Sequence, residues 1–399
     1  MTAYLDHAAT TPILPEAAAA MTAQLGRVGN ASSLHASGRN ARRVVEESRE
    51  TVARVLGCRP GEVIFTSGGT EADNLAVKGL YWSRRAEDPR RRRIISTAIE
   101  HHAVLDPLHW LATEQDAESV LVGVDHAGRL EVDDFRAAVE EDPDAVALVS
   151  VMWANNEVGT VQPLAEVVEI AHAHGIPVHT DAVQAVAQLP VDFAGSGVDA
   201  MTVTGHKLGG PYGVGALLVR RELSLGALLH GGGQERDVRS GTLATPAIAG
   251  LAAACEQSVK MRAELAERLA GLGDRLVEGV LGAVSDVVRN GDPTPGPDHR
   301  LPGIVHLAFP GCEGDSLLML LDARGIECST GSACNAGVPE ASHVLLAMGR
   351  SEERARASLR FSLGHTSTET DVDALVEAIG PAVERARAAG LAGQAGRAS

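Results

Sequence analysis

Between residues 36 and 220, short runs of β-branched and aliphatic residues alternate with longer stretches in which apolar side chains return every three or four positions. The short runs are EVIFTSG (62–68), RIISTA (93–98), SVLVGV (119–124), AVALVSVM (145–152), IPVHTDA (176–182), VDAMTV (198–203) and VGALLVR (214–220). Each has the length and composition of a buried strand. The longer stretches predict amphipathic helices. Residues 37–56 gather Val44, Val45, Val52, Val55 and Leu56 largely on one face, with Ser37 as the cap, and 70–82 and 164–175 follow the same logic. Strand then helix, repeated, predicts an α/β fold whose mostly parallel sheet is covered on both faces. Past residue 245 the texture changes. A long Ala/Leu/Glu/Arg helix over 246–283 leads into the Pro- and Gly-rich NGDPTPGPDHRLPG (290–303), an irregular surface loop. Shorter strands and helices follow in a second, smaller domain, and the tail 388–399 lacks periodicity and is expected to fray.

Charge and cysteine usage narrow the function classes. The chain of 399 residues carries 35 basic and 52 acidic side chains, a formal net charge of −17, which repels nucleic acid and anionic membrane surfaces. The run Arg90–Arg93, preceded by Glu87 and Asp88, reads as a solvated helix–strand junction, so no direct nucleic-acid contact is expected. No stretch approaches the ~18 consecutive apolar residues of a membrane span, and MTAYLDHAATT has neither a basic nor an apolar leader region. Five scattered cysteines (58, 255, 312, 328, 334) do not make a disulfide framework, and a reducing, cytoplasmic setting is expected.

Lysine is the informative scarcity. Lys78, Lys207 and Lys260 are the only three, so any chemistry needing an amine has three candidates. Lys78 and Lys260 fall in helical patterns and read as surface charges. Lys207 follows a strand and sits in TVTGHKLGGPYGVG, where the backbone can approach a ligand closely. Asp181 closes the strand PVHTDA, and ligands of open α/β sheets lie at such carboxyl ends. A lysine and a carboxylate facing each other across a flat ring is what pyridoxal phosphate requires. Taken singly, Lys207 reads first as a loop residue and Asp181 as a helix N-cap; the surroundings shift both readings towards a site. SGGTEADN (67–74) joins strand to helix, so N–H groups near Gly69 and Thr70 suit an anion, and Thr204 and His206 bracket the lysine turn as further donors. Neither a Walker A loop nor a good dinucleotide fingerprint occurs. His101, just past RIISTA, can stack on a conjugated ring and exchange protons near neutral pH, while His102 reads as structural. Zinc-ligand spacings are absent. Cys58 and Cys255 look like small core residues and Cys312 is ambiguous, whereas Cys334 follows the Gly/Ser/Ala-rich stretch after Cys328, either an incidental surface thiol or a nucleophile that must travel.

The motifs YLDHAATTP, GNASSLH, FTSGGTEADN, IEHHAVLD, ANNEVG, HTDAVQ, TGHKLGGPYGVG, HGGGQERDVRSGT, STGSAC and LRFSLG, in that order over residues 4–364, together resemble the cysteine desulfurases of NifS/IscS type. The resemblance implies a homodimeric pyridoxal-phosphate enzyme of fold type I. Its large domain (14–255) would hold a mostly parallel seven-stranded sheet between helices. A smaller α/β domain (1–13 and 256–399) would carry the loop of Cys334. The implied activity converts L-cysteine to L-alanine and leaves a persulfide that passes to an acceptor protein, an iron–sulfur scaffold or a thiolation enzyme. An aminotransferase or β-lyase, or a silent sulfur-relay scaffold, is the alternative. Carried over by motif, Lys207 resembles the Schiff-base lysine, Asp181 the partner of the pyridine nitrogen, Gln184 a contact of the ring hydroxyl, and His101 the stacking acid–base group. By the same resemblance Asn156 would contact cofactor and substrate. Gly69, Thr70, Thr204 and His206 resemble the phosphate cradle, completed by Thr242 of the neighbouring subunit. Arg360 resembles the clamp for the substrate carboxylate, assisted by Asn30, and Cys334 the persulfide-forming residue and a transient iron–sulfur ligand, with no resident metal. The small-residue tail departs from the longer docking segment of some relatives, and Cys328 adds a thiol to which no role is assigned.

Overall fold

The structure, a computed structural model, describes residues 2–331 and 341–397; Cys334 lies outside them. The described strands are β1 Ala3–Tyr4, β2 Val63–Thr66, β3 Arg93–Thr97, β4 Glu118–Val122, β5 Val146–Ser150, β6 Val178–Asp181, β7 Ala200–Thr204, β8 Gly215–Val219, β9 Val288–Asn290, β10 Ile304–Ala308, β11 Ile326–Glu327 and β12 Ser358–Ser362. Seven of them form one sheet in the order β2-β8-β7-β6-β5-β3-β4. Only β8 runs against its neighbours, and the other pairings are parallel. Strands β2, β3, β5, β6, β7 and β8 are buried along their whole length, as continuous apolar runs in a helix-covered sheet should be. The parallel strands therefore end on one edge, where β3, β6 and β7 deliver the turns that hold His101, Asp181 and Lys207.

A three-stranded antiparallel sheet, β12-β10-β9, and the short parallel pair β1-β11 lie on a separate apolar core. Helix Thr245–Ala283 serves both: Ile248, Leu251 and Cys255 pack with the large-sheet core, whereas Leu269, Leu272, Leu276 and Val280 pack with β10 and β12. In β12 the register sets Arg360 opposite His306. Chain segment 2–9 links the two cores, since Asp6 bridges to Ser362 at the end of β12 while Ala8 packs in the large core.

The structure corrects three local expectations. Helix Ala36–Leu56 is capped by His35, whose Nδ1 accepts from Gly38 N–H at 3.3 Å; Ser37 is already inside the first turn. The helix predicted over 70–82 runs Gly69–Glu87, because the polar WSRRAE end continues with good helix formers. The C-terminal helix spans Glu369–Arg397, through the tail expected to fray, and alanine-rich sequence favours that continuation. No helix among the described residues is long and apolar enough to cross a membrane.

Candidate active site

A cavity of about 380 Å³ opens where the ends of β3, β6 and β7 meet segment 8–9 and the foot of β12. Ten residues expected from sequence line it: Gly69, Thr70, His101, Asn156, Asp181, Gln184, Thr204, His206, Lys207 and Arg360. Asn30 and Thr242 do not. Asn30 is exposed, its side-chain oxygen accepting from Ser32 N–H at 2.9 Å, and Thr242 is exposed on an irregular segment.

Lys207 occupies a single 3-10 turn, Gly205–Lys207, directly after β7. Its Nζ donates to the carbonyls of Ala8 and Ala9, the latter at 2.6 Å. Burial pushes its pKa down to about 8, the charge of Arg360 adds to that, and Asp6 and Asp181 oppose it. An amine with such a pKa is still mostly ammonium near physiological pH but keeps a far larger neutral, nucleophilic fraction than an ordinary lysine. Lys78 and Lys260 are in helices, Lys78 stacked over Trp110, and neither lines the cavity.

Asp181 ends β6 on the cavity floor. It caps no helix; Oδ1 accepts from Val183 N–H at 2.8 Å in the following turn. Burial raises its proton affinity, and the Val183 hydrogen bond and the Lys207 charge lower it. A carboxyl poised this way responds to whatever base or cation faces it. Gln184 donates from Nε2 to Ala8 O at 2.9 Å, which fixes its amide beside the lysine.

Opposite lies a helix N-terminus. Gly68 and Gly69 begin helix Gly69–Glu87, and Gly68 takes φ +156. A Cβ on Gly69 would lie 3.2 Å from Val183 and 3.5 Å from Thr204, so glycine lets the cradle close on β6 and β7. His206 is held by Thr10 at 2.9 Å and stacks on Tyr212. His101 is the N-cap of helix His102–Glu114, its Nδ1 accepting from Ala103 N–H at 3.0 Å. Burial, then Lys207, push its pKa down to about 4, so the imidazole is neutral at physiological pH.

Arg360 forms the far wall. Nη1 donates to Asn156 O at 2.9 Å and Nη2 to Asp6 Oδ1 at 2.8 Å, while Nε is buried without a partner. Sequence reasoning missed Asp73, Glu157 and His343, which also line the cavity, and read His102 as structural although it too lines the cavity. Glu157 accepts from Ser342 Oγ at 2.5 Å. An acid within a helical pattern carries no signal of burial, and only the ANNEVG and TEADN motifs around Glu157 and Asp73 could have flagged them. Cys328 follows β11, partly buried, with burial pushing its thiol up to about 12. Cys255 is fully buried and Cys312 nearly so. No His, Cys, Asp or Glu cluster among the described residues is placed to hold a metal ion.

A buried amine of lowered pKa, a floor carboxyl, a neutral imidazole and a glycine-built anion cradle around one cavity fit pyridoxal phosphate. The volume falls in the range typical of cofactor pockets. The aminotransferase class-V family matches residues 3–375. An IscS-like cysteine desulfurase of Mycobacterium tuberculosis is 57% identical over 390 residues, 98% of each chain. A solved NifS-like protein aligns with a TM-score of 0.87 at 34% identity, covering 96% of this chain and 100% of that one. SspA, solved in complex with cysteine, aligns with a TM-score of 0.78 at 33% identity, covering 91% and 99%. The chain belongs to the class-V aminotransferase family of pyridoxal-phosphate enzymes, among its cysteine desulfurases of NifS/IscS type.

Proposed function

We propose that the protein takes sulfur from L-cysteine, releasing L-alanine and keeping the sulfur as a persulfide on Cys334. The observation that carries this is the union of Lys207, Asp181 and Arg360 around one cavity, with a cysteine available in the STGSAC segment. Bound pyridoxal phosphate supplies an electron sink for the pair released at the substrate Cα. Lys207 holds the cofactor through Nζ, Asp181 sets the charge at the ring-nitrogen end, and Gln184 and Asn156 position the ring. Gly69, Thr70, Thr204 and His206 receive the phosphate, joined by Thr242 of a second subunit in a homodimer. Arg360 receives the substrate carboxylate in a planar fork. His101, neutral and held by Ala103, stacks on the ring and moves a proton. The Cys334 thiolate attacks the substrate sulfur: the new S–S bond forms as the Cβ–S bond breaks, and a proton completes alanine. Cysteine plus enzyme thiol thus equals alanine plus enzyme persulfide. The persulfide then passes, in a cytoplasmic setting, to an iron–sulfur scaffold or a thiolation enzyme.

The test is a single turnover with cysteine and no acceptor, with alanine quantified and the protein weighed by mass spectrometry. One alanine and one added sulfur on Cys334 per site are expected. Pyruvate would return the protein to β-lyase chemistry, mercaptopyruvate to aminotransferase chemistry, and alanine without added sulfur would reject persulfide capture on Cys334.

A further inference from the structure

Asp73 sits in helix Gly69–Glu87, 1% exposed, and lines the cavity behind Asp181. Its Oδ1 is buried without a hydrogen-bond partner. His179 Nε2 stands 3.6 Å away, beyond hydrogen-bonding distance. His179 is itself fully buried, with Nδ1 on Ser150 Oγ at 2.9 Å and Nε2 on Thr202 Oγ1 at 3.0 Å. Both contacts belong to the layer under Asp181. His179 precedes Asp181 by two residues in β6, so the two share a face, and Thr202 is the register partner of Asp181 in β7.

We infer that Asp73 is an un-ionised carboxylic acid, which leaves Asp181 as the charged carboxylate at the ring-nitrogen end of the cavity. The inference rests on the cofactor-binding reading above. An ionised carboxylate with one oxygen buried and unpartnered is expensive, the Thr202 hydroxyl favours its charge only in part, and the facing His179 imidazole does not offset the cost, because burial pushes its pKa down to about 3 and keeps it neutral. Two adjacent buried carboxyls do not both ionise. Asp181 has the Val183 N–H and the nearby Lys207 to support its charge, whereas Asp73 Oδ1 has neither. The proton therefore belongs on Asp73 Oδ1, facing His179 Nε2, with the imidazole donating from Nδ1 to Ser150. Burial, then Asp181, hold the Asp73 proton well above the usual carboxylate range, with Glu100 adding to this and Thr202 opposing. Glu100 is the other buried acid near this layer. It accepts from Thr97 Oγ1 at 2.6 Å and Met152 N–H at 3.0 Å and is pushed up to about 8, so any test must tell it from Asp73. A neutral Asp73 adds no repulsion to the Asp181 charge; an ionised one would drive a proton onto Asp181.

Infrared difference spectra decide this. The cofactor-loaded protein is compared with its Asp73→Asn variant just above neutral pH, and wild-type protein is prepared with isotope-labelled aspartate side chains. The expected result is a protonated-carboxyl C=O band that shifts with the aspartate label, which Glu100 cannot produce, and that vanishes in Asp73→Asn. On acidification, the pH midpoint for release of pyridoxal phosphate should be shared by wild type and variant. Aspartate bands of carboxylate type alone, or a midpoint displaced by about one pH unit or more in Asp73→Asn, would overturn the inference. The labelled wild type decides by itself if the variant does not fold. Cofactor-free protein gives the same band, so failure of the cofactor reading appears as absent cofactor, not as an absent band.

Discussion

Replacing Arg360 with Lys separates substrate capture from cofactor capture. The Arg360 side chain is 5% exposed and held flat by Asn156 O and Asp6, and its remaining N–H groups stay available to a carboxylate. A lysine ammonium is a point charge that can meet Asp6 or the substrate but cannot present two parallel donors. Loss of one charge-assisted hydrogen bond costs about 1.5–3 kcal/mol. At about 1.4 kcal/mol per decade, KM for cysteine should rise about 10- to 140-fold. Arg360 hydrogen-bonds to no residue of the anion cradle and meets the ring-positioning Asn156 only at its backbone carbonyl, so cofactor affinity should change by less than about threefold. Initial rates of alanine formation across cysteine concentrations give the first number, and visible absorbance during dialysis gives the second. An unchanged KM, or a KM and a cofactor affinity that worsen together, would refute the clamp.

Lys207→Ala should bind no cofactor that borohydride can fix to the protein; a reducible linkage in that variant would show that another amine serves. Because burial lowers the Lys207 pKa from 10.5 to about 8, the ammonium persists below that pH and the free amine dominates above it. The rate of cofactor capture by cofactor-free protein should thus climb with pH through about 8 and level off, and a rate still climbing steeply towards 10.5 would contradict the burial argument. Cys334→Ser should form no persulfide, whereas Cys328→Ser should keep most turnover, and the Cys328 thiol, pushed up to about 12, should resist iodoacetamide at neutral pH; persulfide found first on Cys328 would reverse the assignment. Sedimentation should give a dimer, with Thr242→Ala weakening cofactor retention several-fold, and a fully active monomer would end the shared-site reading.

What the sequence by itself determined is local. All seven strands of the large sheet were legible, because six are buried and read as short continuous apolar runs, β4 keeps the same β-branched composition, and their helices carry an apolar stripe. Lys207, Asp181 and the Gly69 turn were legible because chemistry at strand ends needs particular residue types in short motifs. The tertiary structure decided what depends on neighbours far apart in the chain. It set β8 antiparallel between β2 and β7, and it brought Ala8 and Ala9 against Lys207 and Asp6 against Arg360, residues separated by some 200 to 350 positions. His35 displaced Ser37 as a cap because capping depends on where the first turn closes, which periodicity leaves open by a residue or two. Asp73 was illegible for the deepest reason. A single acid in a helix looks solvated until the fold removes both the water and every hydrogen-bond donor from one of its oxygens, and that removal is the work of β6 and β7, over 100 residues further along.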